Sequence, residues 1–196
     1  MTGLLIATTN PGKIREITAI LQGAPVDLRT LADFPPIAEP DETGATFAEN
    51  ARLKALYYSQ TLELPCVADD SGIEIAALGN RPGIHSARWE GTDYSVKFAR
   101  IRELLREQEL ETSAARFVCR VALAERARII FESEGVIEGE IAPKPRGEHG
   151  FGYDPIFFYP PFGRTLGEVP RDEKATVSHR GQAFAALRTY LLHPPS

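Results

Sequence analysis

The chain has 196 residues, 43% of them hydrophobic and 25% charged, which suits one domain with a buried core. Its formal net charge of -5 argues against nonspecific binding to nucleic acid, which needs a basic face, but leaves room for a small anion in a local basic pocket. The opening residues Met1 to Ala7 lack a basic region and hold too short an apolar run for a signal peptide or membrane span, so no membrane partner is expected. Cys66 and Cys119 sit in apolar runs and read as buried free thiols, and a reducing cytoplasm is the expected compartment.

In chain order, Leu4 to Ala7 reads as a short buried strand. Thr8 to Lys13 is a polar turn. A helix follows with Ile14, Ile17, Ile20 and Leu21 on one face, capped by Asn10, opened by Pro11 and ended by Gly23. Asp33 to Gly44 is a Pro-rich, acidic loop. Thr46 and Glu49 have capping-box spacing for a helix reaching about Gln60. Cys66 to Asp69 predicts a strand ending in carboxylates, with Ser71 and Gly72 completing a turn, then an apolar segment from Ile73 to Leu78 and a turn from Gly79 to Gly83. Tyr94, Phe98, Ile101, Leu104 and Leu105 mark an amphipathic helix. Phe117, Cys119, Val121 and Leu123 have strand period, and Ala127 to Glu134, Val136 to Ile141 and Ile156 to Tyr159 read as further strands. A last helix starts after Ser178, with Phe184, Leu187 and Leu191 inside. The mixture predicts an α/β protein with a mixed sheet and packed helices.

Five places offer chemistry. The loop Thr8, Thr9, Asn10, Pro11, Gly12, Lys13 joins a strand to a helix N-terminus, where backbone N–H groups, side-chain donors and a full charge suit phosphates. An ordinary capped turn has the same composition, and the spacing of a Walker loop is absent. Asp69 and Asp70, with Asp41 and Glu42 from a separate loop, supply carboxylates that can hold Mg²⁺ and orient water. Taken alone, Asp-Asp-Ser-Gly is also a common turn. Lys54 and Lys174 are candidate phosphate cations, although solvated surface lysines are the default. In Phe151, Gly152, Tyr153, Asp154 and Pro155, glycine permits close approach, an aromatic ring can stack on a base, and Asp154 can accept from its N–H. Finally, His179 and Arg180 follow Ser178 at a helix start, positioned to donate to a carbonyl or phosphate oxygen. Ser71 and Ser178 lack a nucleophile-elbow sequence, His85 reads as a turn residue, and Trp89 as a packing residue.

The order of these blocks is more telling than any one of them. Thr8 to Lys13, Glu42-Thr43-Gly44-x-Thr46-Phe47-x-Glu49-Asn50-Ala51-x-x-Lys54-Ala55, Ala68 to Gly72, Pro82 to Arg88, Phe151 to Pro155 and Glu173-Lys174-x-x-x-Ser178-His179-Arg180-Gly181-Gln182-Ala183 follow one another along nearly the whole chain. Together they closely resemble the inosine/xanthosine triphosphate pyrophosphatase family. The resemblance implies a single domain, residues 1–196, of two lobes around a long mixed β-sheet with flanking helices and the active site in the cleft. It also implies Mg²⁺, a homodimer, and hydrolysis of ITP, dITP and XTP to the monophosphate and pyrophosphate, a cleansing of the nucleotide pool. By similarity, Thr8 to Lys13 with Lys54 and Lys174 hold the phosphates, Asp70 accepts the proton and binds metal, and Asp41 or Glu42 supplies the second acid. Ser71 contacts substrate, and Phe151 to Asp154 with His179 and Arg180 read the base. Where the family often has Tyr, this chain has His85.

An unperturbed Asp titrates near 3.9, so Asp70 as a base calls for help from a bound cation. Base choice is expected at position 6, where ITP and XTP present a carbonyl to Arg180 or nearby helix N–H groups and ATP presents an amine. A Maf-like nucleotide pyrophosphatase is an alternative, but its Ser-Pro-Arg-Arg opening is absent. A non-catalytic nucleotide sensor is another, against which Asp70, Lys13 and Lys54 all stand.

Overall fold

The computed structural model describes residues 3–194; Met1 and Thr2 of the opening run, and the last two residues of the expected 1–196 domain, lie outside them. Eight strands form one mixed sheet: β1 (Gly3–Ile6), β2 (Asp27–Thr30), β3 (Cys66–Ile75), β4 (Arg81–Pro82), β5 (Ala114–Glu125), β6 (Arg128–Ile141), β7 (Phe157–Tyr159) and β8 (Arg164–Thr165). The strand order is β2-β1-β3-β5-β6-β7-β8, with β4 paired to β3. β1 pairs parallel with β2 and β3, with Leu5 opposite Cys66 and Ile6 opposite Val67, while β6–β7 and β7–β8 are antiparallel. The helices are α1 (Pro11–Ile20), α2 (Phe47–Leu62), α3 (Tyr94–Arg106), α4 (Arg171–Ala175) and α5 (His179–Leu192).

The chain divides into two compact units. The first takes residues 3–70, Cys119–Gly135 and 179–194; the second takes Ser71–Val118 and Val136–Ser178. In the first, Leu4, Ile6, Ile17, Leu21, Val67, Cys119, Val121, Phe184 and Leu187 form one apolar cluster, and Leu5, Ala51, Ala55, Tyr58, Cys66, Ala68 and Ala122 form another. Successive residues of β1 and β3 serve these two clusters in turn, as a strand's period of two requires. In the second unit, Ile73, Ile75, Ile101, Leu105, Phe117, Ile137, Phe157 and Leu166 make the core, with Trp89 packed against it as expected. Each fully buried Leu, Ile or Phe contributes on the order of 1.5–3 kcal/mol.

Local chemistry explains most boundaries. Asn10 Oδ1 accepts from the N–H groups of Gly12 and Lys13, at 2.8 and 3.3 Å, and opens α1 as its cap. Thr46 caps α2 through Glu49 N at 3.2 Å. The reciprocal arm differs from the expected capping box, because Glu49 Oε2 takes Ala45 N at 2.7 Å rather than the cap residue's own N–H.

Three expectations are corrected. β3 does not end at its carboxylates: it runs through Asp69, Asp70, Ser71 and Gly72 to Ile75, so the Asp-Asp-Ser-Gly segment is strand, not turn. Gly72 is what lets the neighbouring chain close on it, since a Cβ there would collide with Ser86 Oγ and the Gly83 carbonyl. The two strands expected at Ala127 to Glu134 and Val136 to Ile141 are one, β6, which starts at Arg128 after a turn at Ala127 and is continuous through Gly135, where a side chain would overlap the His179 carbonyl. Finally, Arg81 and Pro82 pair with β3 inside the expected turn from Gly79 to Gly83.

Candidate active site

Asp69 and Asp70 are adjacent on β3 and therefore face opposite ways. Asp69 meets the first turn of α1 and the start of α5. Lys13 Nζ lies 2.9 Å and Arg180 Nη2 3.5 Å from its Oδ2, and Cys119 Sγ lies 3.8 Å from the same oxygen. Arg180 Nη1 also donates to Glu16 at 2.7 Å. Burial pushes the Asp69 carboxyl up, but the charges of Lys13, Arg180 and Lys54 outweigh it and hold the group well below the usual carboxylate range. Its Oδ1 is buried and finds no hydrogen-bond donor among the described residues.

Asp70 meets α2. Asn50 Nδ2 donates to its Oδ2 at 3.1 Å, and Lys54 Nζ lies 3.5 Å from its Oδ1. Lys54 also donates to Glu42 Oε1 at 2.7 Å. Asn50 is fully buried, and its other amide atom accepts from Gly44 N at 2.8 Å, tying the acidic loop to the helix. Burial raises the Asp70 carboxyl above its ordinary value; Lys54, Lys13 and the Asn50 amide pull it down, and Glu42 adds to the rise. Lys54 is drawn down by burial, yet Asp70, Asp69 and Glu42 together hold its ammonium above the ordinary lysine value.

The first unit thus gathers Lys13, Lys54, Glu42, Asp70 and Arg180 among the residues singled out from sequence. It also holds Asp69, the other half of the acidic pair singled out from sequence, and adds Glu16 and Asn50, neither of which was expected to hold a place in the site. The only advance signal for these two was the Glu49-Asn50-Ala51 run. The expected phosphate loop is partly committed to itself: the Gly12 and Lys13 N–H groups go to Asn10, Thr8 Oγ1 accepts from Asn10 N at 3.2 Å, and Thr9 Oγ1 donates to Glu39 at 3.0 Å. Pro11 has no N–H to give. The Arg180 guanidinium, expected to read a base, is engaged by Glu16 and Asp69. His179 is buried at the start of α5, and Ser71 is half-buried on β3.

The second unit makes its own polar group. Asp154 Oδ2 accepts from Lys174 Nζ at 2.6 Å and from Phe151 N at 2.8 Å, and Lys174 Nζ stands 5.1 Å over the Phe151 ring. Lys174, expected on phosphates, is thereby joined to the segment expected to read the base. Arg164 Nη2 donates to both carboxylate oxygens of Glu173 at 2.7 Å and steadies α4, which carries Lys174. Of the two rings in that segment, Tyr153 is the core one: it is buried against Tyr94 and Phe98, and its hydroxyl donates to the Ser86 carbonyl at 2.9 Å. Phe151 is the partly exposed ring, beside the half-buried Gly152.

Among the described residues no group of three or more His, Cys, Asp or Glu side chains is placed to hold a metal ion. Two carboxylates nevertheless converge on the Lys54 ammonium, those of Glu42 and Asp70, whereas Asp41 is exposed and makes no side-chain contact with this group. Mg²⁺ needs one or two carboxylates plus water and substrate phosphates, and the side chains of Glu42 and Asp70 are donors of that kind. The charge balance fits as well. Lys13, Lys54 and Arg180 face four carboxylates, those of Glu16, Glu42, Asp69 and Asp70, so a polyphosphate needs a further cation beside it.

Residues 4–190 match the model of the Ham1 family. A dITP/XTP pyrophosphatase of Syntrophobacter fumaroxidans is 50% identical over 185 residues, covering 94% of this chain and 80% of that protein. One from Geobacillus kaustophilus is 45% identical over 190 residues, covering 95% and 93%. The structure of a HAM1 protein from Coxiella burnetii superposes with a TM-score of 0.90 at 38% identity, covering 98% of this chain and 99% of that one. That of a nucleoside-triphosphatase / dITP/XTP pyrophosphatase from Mycobacterium abscessus gives 0.76 at 40% identity, covering 95% and 98%. Matched along nearly its whole length in sequence and in fold, and carrying the expected blocks in order, the chain belongs to the Ham1 family.

Proposed function

We propose that this protein is a dITP/XTP pyrophosphatase, cleaving ITP, dITP and XTP to the monophosphate and pyrophosphate with Mg²⁺, as a cytoplasmic homodimer. The observation that carries the reading is the convergence of Lys13, Lys54 and Arg180 on Asp69 and Asp70, in a chain of this family. Among the described residues no helix is long and apolar enough to cross a membrane.

In the proposed reaction a water oxygen bonds to the α-phosphorus while the bond to the bridging oxygen breaks and pyrophosphate leaves. Asp70 orients that water and takes its proton. Its raised pKa makes it a better base than an exposed aspartate, and Asn50 fixes its orientation. Lys13 and Lys54 exchange carboxylate partners for phosphate oxygens and stabilise the charge that develops there. Glu42 and Asp70 would hold the Mg²⁺, which when bound neutralises phosphate charge and acidifies water. Asp154, with the Phe151 ring, contacts the base. The 6-carbonyl is met at the start of α5, where His179 and Arg180 stand, and the 6-amine of ATP finds only donors there.

Pyrophosphate release from dITP, XTP, GTP and ATP, with and without Mg²⁺, tests this. Mg²⁺-dependent release favouring dITP and XTP is expected. Tight binding of dITP without release would favour the sensor reading, and equal rates on all four would remove the 6-carbonyl argument.

A further inference from the structure

Lys97 is buried to 0% exposure, as completely as any core residue, yet it belongs to none of the blocks above. It lies on α3, and its ammonium donates to the Ser86 carbonyl at 3.0 Å and the Ala87 carbonyl at 2.7 Å. It also stands 4.6 Å over the Tyr94 ring and 5.7 Å over the Tyr153 ring. Among the described residues no carboxylate pairs with it, and burial alone draws its pKa down. A buried cation with no counter-ion is costly, and a leucine would fill the same space at less expense.

What Lys97 gains is visible at Ser86. Its carbonyl takes two donors, Lys97 Nζ and the Tyr153 hydroxyl, using both lone pairs. The Ser86 hydroxyl donates to the Gly83 carbonyl at 2.6 Å and accepts from Ile73 N at 2.9 Å. One turn is therefore fastened to β3 beside Gly72, to α3 through Lys97, and to the Phe151–Asp154 segment through Tyr153. Tyr94, the ring closest under the ammonium, also lies beneath Gly152, with its hydroxyl 3.5 Å from where a Cβ would sit.

We infer that Lys97 is a positioning residue for nucleotide recognition, holding Tyr153 and so the Phe151–Asp154 segment in register with Ser71 and Gly72 on β3. This rests on the reading above, in which Phe151 and Asp154 contact the base. Lys97 touches no substrate. Its loss lets the base-contacting segment shift, while the phosphate-binding cations of the other unit keep their own partners.

The experiment compares Lys97→Met and Tyr153→Phe with the full-length wild type, measuring KM and kcat for dITP and the competitive inhibition constant of inorganic tripolyphosphate, which has no base. A conservative core change on the same helix, Ile101→Val, controls for general loosening. Each of the first two variants is expected to raise KM about tenfold with kcat nearly constant, the pattern of lost uniform binding. Tripolyphosphate inhibition and the Ile101→Val enzyme should stay within about twofold of wild type. Should Lys97→Met not fold, Tyr153→Phe decides, because it removes one hydroxyl and keeps the ring. An unchanged KM in the folded variants overturns the inference, and so does a parallel rise for dITP and tripolyphosphate. A wild-type enzyme inactive on every triphosphate would instead overturn the functional reading beneath it.

Discussion

The two units handle buried lysine and aspartate in different ways. In the second, Asp154 and Lys174, both almost fully buried, meet at 2.6 Å, and Lys97 is spent on backbone carbonyls and aromatic faces. In the first, the cations are shared: Lys54 is divided between Glu42 and Asp70, and Arg180 between Glu16 and Asp69. Lys13 and Lys54 also keep about one-seventh of their side chains exposed, 16% and 14%. A closed pair holds a shape, because breaking it strands a charge in a low dielectric. A shared, partly exposed group with an excess of carboxylate can exchange partners when a polyanion and a cation arrive together. The difference leaves the first unit's lysines able to trade a carboxylate for an incoming anion, while the Lys174–Asp154 pair of the second holds the segment that carries Phe151.

The largest expected effect breaks the acting group. Asp70→Asn keeps the shape and the Asn50 contact but removes the base, and turnover of dITP should fall by about a hundredfold to ten-thousandfold, the usual worth of a general base. Initial rates of pyrophosphate release check it, and turnover that survives would assign proton transfer elsewhere. The pH profile sharpens the same point. Because burial raises the Asp70 carboxyl, its titration in the Mg²⁺-free protein, followed by carboxyl NMR shifts, should lie above the value of about 4 expected for an exposed aspartate, and Mg²⁺ should draw it down.

Next in size is Asp69→Asn. It leaves Lys13 and the Nη2 of Arg180 facing a neutral amide, with Glu16 still on Nη1, and breaking a buried pair costs roughly 3–5 kcal/mol, read from urea unfolding. The wild-type pH dependence has a fixed sign here. Asp69 titrates lower folded than unfolded, so its stabilisation is complete above the unfolded value of about 3.9 and is lost as pH falls toward the folded value. Asp69→Asn should flatten that acid loss. If it falls as steeply as wild type, the acid sensitivity belongs to another group.

How far this contrast could be read from sequence varies along the chain. Helix starts were legible because capping is local: Asn10 and Thr46 announce α1 and α2. β2 was missed because Asp27 to Thr30 is short and half exposed, without an apolar run. The continuation of β3 was missed because Asp-Asp-Ser-Gly has turn composition, and only the close approach of Ser86 and Gly83 requires glycine in a strand. Lys13, Lys54 and Asp70 were visible through the ordered blocks. Glu16 and Lys97 were not, because a buried charge and a solvated one are the same letter, and which it becomes is decided by partners far along the chain, as Arg180 is for Glu16.

The smallest prediction concerns the join between scaffold and site. Thr46 caps the helix that carries Asn50 and Lys54, so Thr46→Ala should cost about 1 kcal/mol. The urea midpoint should fall with an unchanged slope. Turnover of dITP at saturation should not move, because two other bonds hold the same entry: Glu49 Oε2 on Ala45 N and Asn50 Oδ1 on Gly44 N. These keep Asn50 aimed at Asp70 when the threonine hydroxyl is gone. A rate that fell together with stability would mean that the acidic loop carrying Glu42 loosens with the cap, and that the acting group depends on the helix start as well as on its own ion pairs.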